Sequence, residues 1–102
     1  MKLGIGLGYS PRKLKIPMED ILFAEKMGFD SVWAAESYGS DSVSVASYVL
    51  AQTSKIKVGT AIMQMQARTP TMTAMTAMSL NALSDNRFLL GLGPSGPQVV
   101  EG

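Results

Sequence analysis

The chain contains no cysteine and no histidine among its 102 residues. The lack of cysteine excludes disulfide bonds and thiolate catalysis, and the lack of histidine excludes imidazole bases and, with them, most zinc sites within this chain. Only 17% of the residues are charged and the net charge is +1, which argues against disorder, a nucleic-acid-binding surface and a channel for acidic substrates. Acid–base chemistry here depends on other side chains, and we expect neither a metal site nor a nucleic-acid partner.

Long hydrophobic runs are also absent. The amino-terminal segment MKLGIGLGYSP has a short apolar run that glycines interrupt, and it lacks the small-residue cleavage pattern of a signal peptide. We interpret it as a strand and expect a cytoplasmic protein with no membrane partner. With 46% hydrophobic residues, the chain suits one small domain that buries roughly two-thirds of its unfolded surface. We therefore assign residues 1–102 to a single unit.

What the sequence does contain is a regular alternation of short apolar segments and helix signals. The predicted strands cover residues 2–9, 30–36, 55–63 and 87–92. The predicted helices cover residues 17–27, 41–53 and a third segment from 69–70 to the SDNR sequence at 84–87. This βαβαβαβ order predicts an α/β fold with parallel strands joined by right-handed crossovers. Either an open doubly wound sheet or part of a (β/α)8 barrel fits that order.

Cap residues mark the ends of these helices. Gly28 follows the first helix and suits a left-handed cap. Asp41 or Ser42 is suited to cap the second helix, and Thr69-Pro70 supplies an N-cap followed by proline at the first helical position. These signals are local, so we expect them to fix where the helices begin and end.

Apolar side chains recur at near-helical spacing along the third helix. They are Met72, Met75, Met78 and Leu83. Methionine commonly fills irregular gaps between packed elements. We therefore interpret this stripe as flexible core packing and give it no chemical role.

The carboxyl-terminal segment contains glycines with the G-x-G-x-x-G spacing, at Gly91, Gly93 and Gly96. A dinucleotide-binding loop with this spacing follows the first strand and opens directly into a helix. Here the glycines follow the fourth predicted strand, and Pro97 stands immediately after the third glycine. The spacing therefore does not predict a Rossmann fold, which leaves an ordinary turn or another kind of cofactor loop.

Three stretches carry a resemblance to a known family: MKLGIGLGY, EKMGFDSVWAAESYGSD, and the run from VGTAIMQMQARTP through GLGPSGPQVVEG. They resemble the bacterial luciferase-like family, most closely its oxidoreductases that use the 8-hydroxy-5-deazaflavin coenzyme F420. The resemblance implies a (β/α)8 TIM barrel, of which this chain would supply strands one to four, the amino-terminal half. It also implies hydride transfer with the deazaflavin or, in relatives that use FMN, monooxygenation. A non-catalytic fragment or an oligomerising scaffold remains a further alternative.

The resemblance and the barrel architecture both direct attention to the carboxyl ends of the strands, where barrel sites form. Glu36 ends the second predicted strand and is the candidate catalytic residue, able to hydrogen-bond or exchange a proton with substrate. Deazaflavin dehydrogenases of the family often have an Asp-His pair near this point, whereas this sequence has Glu36-Ser37. Ala61-Ile62 matches the place where family members carry a non-proline cis peptide that supports the deazaflavin ring.

The remaining candidate cofactor residues form one loop. They are Gly93, Pro94, Ser95 and Gly96. In the family this loop lies near the deazaflavin, and glycine amides can approach phosphate or carbonyl oxygens closely. Arg68 precedes the Thr69-Pro70 cap, and we expect it to form a salt bridge at a helix start. The expected partners are a small-molecule substrate and either further copies of the chain or a missing carboxyl-terminal half.

Overall fold

The computed structural model describes residues 2–7, 16–35 and 41–94. The strands of this part of the chain are β1 (Gly4–Leu7), β2 (Ser31–Ala34), β3 (Lys57–Thr60), β4 (Met63–Gln64), β5 (Phe88–Leu89) and β6 (Leu92–Gly93). Its helices are α1 (Met18–Lys26), α2 (Ser42–Gln52) and α3 (Pro70–Leu83), with a 3₁₀ turn at Met65–Ala67. None of the helices within these ranges has the length and apolar character needed to cross a bilayer.

Strands β1, β2, β3 and β5 form one sheet in that order, and every neighbouring pair is parallel. The short strands β4 and β6 form a second parallel pair. Each of the last two predicted strands is therefore divided in two by a break, at residues 61–62 and 90–91. The predicted α/β class with parallel strands is confirmed, and the breaks are a feature that the apolar runs did not reveal.

The hydrophobic core lies between one face of the four-stranded sheet and the helices. Val32, Val58 and Phe88 occupy paired positions on β2, β3 and β5, and all three side chains are buried. From the helices the core receives Ile21, Val45, Ala46, Val49, Leu50 and Leu80. Since side chains alternate across a strand, the residues between these strand positions face the opposite side of the sheet.

The predicted helix caps are present. The Asp41 side chain accepts a hydrogen bond of 2.8 Å from the Ser44 amide at the start of α2. Thr69 Oγ1 accepts one of 3.1 Å from the Met72 amide, and Pro70 is the first residue of α3. Gly28 has φ of 88° after α1, a backbone conformation that glycine adopts without strain.

The prediction that the methionine stripe of α3 packs in the core was wrong. Met78 is 72% exposed and Leu83 is 84% exposed, and Met72 and Met75 are at least half exposed. The face of α3 that meets the core instead carries Thr73, Ala77 and Leu80, and the buried Ser84 follows as the C-cap. Apolar residues occur on most sides of this helix, so the spacing of the methionines did not identify the side that is buried. The smaller side chains on the buried side allow the helix to pack closer to the sheet.

A charged network joins α1 to the loop before β3, on the side of the sheet where the strands begin, which we call its amino-terminal edge. Glu25 Oε2 accepts hydrogen bonds from the amides of Ser54, Lys55 and Ile56 at 3.0, 2.7 and 2.9 Å. Partial burial raises the pKa of Glu25, but the three amide hydrogen bonds and the nearby Arg87 charge outweigh it and hold that pKa below its ordinary value of 4.5.

This network predicts a specific pH dependence of stability. We expect Glu25→Gln to lower the free energy of unfolding at pH 7 by about 1 kcal/mol, because the variant loses charge-assisted hydrogen bonds at a partly exposed site. Since the folded-state pKa is lowered, the contribution is complete above pH 4.5 and is lost as the pH falls through the folded-state value. Urea unfolding of the wild type and of Glu25→Gln from pH 7 to pH 3 measures the difference between their free energies of unfolding, which should decrease as the pH falls. Glu19→Gln, at an exposed position of α1, is the matched control, and a gap for Glu25→Gln that stayed constant with pH would contradict the assignment.

Candidate functional site

The break between β3 and β4 is held by the side chain of Thr60, which is fully buried. Thr60 Oγ1 donates a hydrogen bond of 2.8 Å to the Gly91 carbonyl oxygen and accepts one of 3.0 Å from the Gly91 amide. The Met63 amide also donates to the Gly91 carbonyl oxygen, at 2.8 Å. One hydroxyl thus takes the place of ladder hydrogen bonds where both strands bend. We call residues 60–62 together with 91–93 the bend.

The bend lies at the carboxyl-terminal edge of the sheet, next to the end of β2. The Ala61 amide donates a hydrogen bond of 2.7 Å to the carbonyl oxygen of Ala34, the last residue of β2. The peptide bond between Ala61 and Ile62 is cis, as the family resemblance implied. Ala61 is exposed and Ile62 is 37% exposed, so apolar side chains form the surface of the bend.

Two glycines allow the chain segments of the bend to approach each other. A Cβ atom added to Gly91 would collide with the backbone carbonyl of Thr60. A Cβ atom added to Gly93 would lie 2.8 Å from Cδ1 of Ile62, whose side chain covers that glycine. The first two glycines of the G-x-G-x-x-G spacing therefore serve contacts between neighbouring strands.

The structure brings together part of the predicted site. Ala61, Ile62 and Gly93 meet in the bend, and Pro94 follows Gly93 directly and is exposed. Three predicted site residues lie outside the described residues: Glu36, Ser95 and Gly96. Arg68 forms an ion pair with Asp41 at 3.8 Å, which confirms the salt bridge expected at a helix start, since Asp41 caps α2.

The described part of this edge presents an apolar surface on which a ligand could rest. The Ala61 and Met63 amides are already engaged within the protein, and the exposed groups include the small or aliphatic side chains of Ala61, Ile62, Leu92 and Pro94. Such a surface can support a flat ring, while the reaction itself would come from a cofactor. The residues fit a planar, uncharged ring system better than a metal or a phosphate.

Sequence analysis missed Thr60 and the contact it makes with Gly91. A signal was present, because a hydroxyl at the end of a strand that is otherwise buried needs a hydrogen-bond partner. It did not say which backbone group would be that partner, since Gly91 is distant in the sequence.

The fold and this edge define a class of protein: a parallel α/β sheet of barrel type with a bent, apolar carboxyl-terminal edge. Residues 6–102 match the family described as luciferase-like monooxygenase. The chain belongs to this family. The barrel alternative of the sequence prediction is therefore confirmed over the doubly wound sheet.

Several relatives are similar to this chain over its whole length and are themselves much longer. A protein of Mycobacterium tuberculosis, provisionally named a coenzyme F420-dependent oxidoreductase, is 46% identical over 103 residues, which cover 100% of this chain and 30% of that protein. The coenzyme F420-dependent tetrahydromethanopterin reductase of Methanopyrus kandleri has a similar structure, with a TM-score of 0.82 and 28% identity. That alignment covers 98% of this chain and 29% of the reductase chain.

A flavin-binding relative shares the same fold. The oxygenating constituent of 3,6-diketocamphane monooxygenase from Pseudomonas putida, solved in complex with FMN, aligns with a TM-score of 0.79 and 19% identity. The alignment covers 99% of this chain and 32% of that one. The chain thus spans about a third of the length of the proteins it matches.

Proposed function

We propose that this chain contributes the first strands of the cofactor site in a coenzyme F420-dependent oxidoreductase that transfers hydride between the deazaflavin and a small-molecule substrate. The observation that carries the proposal is the bend, which presents exposed Ala61 and Ile62 at the carboxyl-terminal edge of a parallel sheet. The 46% identity with the F420-dependent relative extends over the whole chain and supports deazaflavin as the cofactor. FMN is the alternative cofactor.

In this proposal Ala61, Ile62 and Pro94 support one face of the ring, and Gly93 lets the Ile62 side chain pack closely against its strand. Ser95 and Gly96 remain predicted cofactor-binding residues. Thr60 acts by holding the bend in place through its two hydrogen bonds to Gly91. When bound, a deazaflavin supplies hydride transfer, and the protein supplies orientation and a surface that excludes water.

We propose Glu36 as the group that holds or exchanges a proton with the substrate. It follows β2 by two positions in the sequence, and β2 ends at Ala34, whose carbonyl oxygen accepts the Ala61 hydrogen bond. A carboxyl group beside the reacting atoms could act as an acid or a base in such a site.

The described strands offer only part of a barrel site. Barrel enzymes commonly bind phosphate groups in the loops after strands seven and eight, and this chain matches less than a third of the F420-dependent reductase. We therefore propose that these residues alone bind the coenzyme weakly. Strands β1 and β5 each have one neighbour in the four-stranded sheet, and such edges favour pairing with further strands, from a second copy or from the remainder of a barrel.

A binding titration tests the proposed function. We expect the 102-residue chain to bind F420 more tightly than FMN, and Ala61→Leu to weaken F420 binding at least tenfold, because the larger side chain occupies the surface that would support the ring. Fluorescence or calorimetric titration with both ligands measures the two affinities, and analytical ultracentrifugation gives the assembly state of each complex.

The matched control is Ala82→Leu, which makes the same change at an exposed position of α3 and should leave both affinities unchanged. Tighter binding of FMN than of F420 would replace the deazaflavin assignment with the flavin alternative. Binding of neither ligand would favour a non-catalytic scaffold. Equal F420 affinities for the wild type and Ala61→Leu would move the ligand away from the bend.

A further inference from the structure

A pocket on the helix side of the sheet lies beside strand β6. It has a volume of about 280 Å³, and its apolar lining includes Met65, Ala74, Leu90 and Leu92. The two leucine side chains are each 44% exposed, and Met65 is 52% exposed. Small-molecule pockets usually measure roughly 300–1,000 Å³, and this one falls below that range, which favours a few aliphatic side chains as its occupant.

The pocket lies on the side of α3 that faces away from α2. A separate groove between these two helices is lined by Ser47 and Ala51 of α2 and by Leu83 of α3. Ala74 precedes Leu83 by nine positions, which is about two and a half helical turns, so the two residues lie on opposite sides of α3. Among the described residues, α3 is the only α-helix that lines the pocket.

The order of the strands indicates which part of the chain reaches this side of α3. Strands β1, β2, β3 and β5 follow one another across the sheet, and all three helices pack on the same face. A further right-handed crossover would stay on that face and lie beyond α3. The chain leaves β6 at Gly93, directly after Leu92 of the pocket lining, so residues 95–102 are the first part of the continuing chain that can reach the pocket.

The sequence of residues 95–102 contains two large apolar side chains. They are Val99 and Val100, and the other six residues are glycine, proline or polar. Val99 follows Gly93 by six positions, which an extended chain spans over roughly 20 Å. Both valines are therefore within reach of the pocket, and the transfer of their side chains from water to its apolar lining is favourable.

We propose that Val99 and Val100 occupy this pocket and hold the loop of residues 94–96 at the carboxyl-terminal edge, beside the bend. The loop is then attached at both ends, at Gly93 through the pairing of β6 with β4 and at Val99 through the pocket. The apparent affinity for a ligand scales with the fraction of molecules already in the binding arrangement, so an attached loop binds more tightly. The docking itself does not depend on the proposed function, whereas its effect on the coenzyme rests on it.

Nuclear Overhauser effects between methyl groups test the docking in the 102-residue chain. We expect these effects between the two valines, Val99 and Val100, and the methyl groups of Leu90 or Leu92. Ala74→Leu should abolish them, because the larger side chain fills the pocket from an exposed position of α3.

The matched control is Ala82→Leu, which makes the same change at an exposed position of α3 outside the pocket lining and should leave the effects unchanged. A sample that mixes isotope-labelled and unlabelled chains distinguishes contacts within one chain from contacts between two copies. Effects seen only between copies, or no effect from either valine to the pocket residues, would overturn the inference.

A titration with F420 separates the docking from the proposed function. Ala74→Leu should weaken coenzyme binding about threefold or more, since the loop loses one of its two attachments, and Ala82→Leu should not weaken it. Contacts within one chain together with equal F420 affinities for the wild type and Ala74→Leu would support the docking and contradict the part of the loop in coenzyme binding. The same contacts in a chain that binds no coenzyme would overturn the proposed function and leave the docking supported.

Discussion

Gly91→Ala should lower the free energy of unfolding by about 3 kcal/mol, because overpacking against rigid backbone cannot be relieved by rotating a side chain. The added Cβ atom would collide with the Thr60 carbonyl, where β3 and β5 bend together. Relief requires the two segments to separate, which also breaks the hydrogen bonds between Thr60 Oγ1 and Gly91. Urea unfolding followed by circular dichroism measures this loss.

Gly6→Ala is the matched control, since a Cβ atom there would meet no atom of the described residues within 4 Å. It makes the same chemical change on β1, which is separated from β5 by β2 and β3, and we expect a free energy of unfolding within about 0.5 kcal/mol of the wild type. Similar stabilities for Gly91→Ala and Gly6→Ala would contradict the close approach at the bend. A destabilised Gly91→Ala beside an unchanged control would locate the effect in the Thr60–Gly91 contact.

Arg87→Met should be comparably destabilising, at about 3 kcal/mol, and acts at the opposite edge of the sheet. The guanidinium donates hydrogen bonds to the carbonyl oxygens of Leu50, Thr53, Ile56 and Ser84, at 3.0, 3.1, 2.8 and 2.9 Å. Nη1 also donates to Thr53 Oγ1 at 2.9 Å. Methionine fills a similar volume but leaves these half-buried carbonyl groups without their donor, so the ends of α2 and α3 lose their link to β5.

Lys26→Met is the control for loss of one positive charge, since Lys26 is exposed in the last turn of α1. We expect it to change the free energy of unfolding by no more than about 0.5 kcal/mol. The loss of unfolding free energy for Arg87→Lys should lie between those for Arg87→Met and Lys26→Met, because an ammonium group lacks the planar arrangement of donors that reaches several carbonyl groups at once. Equal values for Arg87→Met and Lys26→Met would show that the network contributes little.

Features of this fold that depend on neighbouring residues in the sequence could be predicted. The caps at Asp41 and Thr69 act on amides three positions later, and Gly28 supplies a left-handed residue directly after α1. The alternation of strands and helices likewise follows from short-range periodicity. These local signals were sufficient for the alternation of strands and helices and for the parallel α/β class.

Features that depend on distant residues could not be predicted in the same way. The breaks in the last two predicted strands arise because Thr60 bonds to Gly91, a contact between segments that no local pattern links. The burial of Thr73 and the exposure of Met78 on α3 depend on how closely the helix packs against the sheet. Trp33 belongs to an apolar strand sequence, and the packing of its indole against Gly4 and Gly59 depends on strands that are distant in the sequence.

The candidate site was predictable only through family resemblance. Ala61 and Ile62 have the composition of an ordinary strand, yet they form the exposed surface of the bend. Glu36, Ser95 and Gly96 lie outside the described residues, so their proposed roles stay predictions.

The two edges of the sheet differ in character. The amino-terminal edge carries the Glu25 and Arg87 network, whereas the carboxyl-terminal edge carries the bend. This matches the general pattern of barrels, in which one edge contributes stability and the other forms binding sites.

The central claim is that the bend holds a deazaflavin ring. Nuclear magnetic resonance of the isotope-labelled chain, titrated with F420, tests it most directly because each amide reports its own surroundings. We predict that the largest shift changes fall at Ala61, Ile62 and Gly93, with little change at the Ser54, Lys55 and Ile56 amides at the amino-terminal ends of the strands. Shift changes concentrated at that amino-terminal edge, or an unchanged spectrum at saturating coenzyme, would contradict the claim.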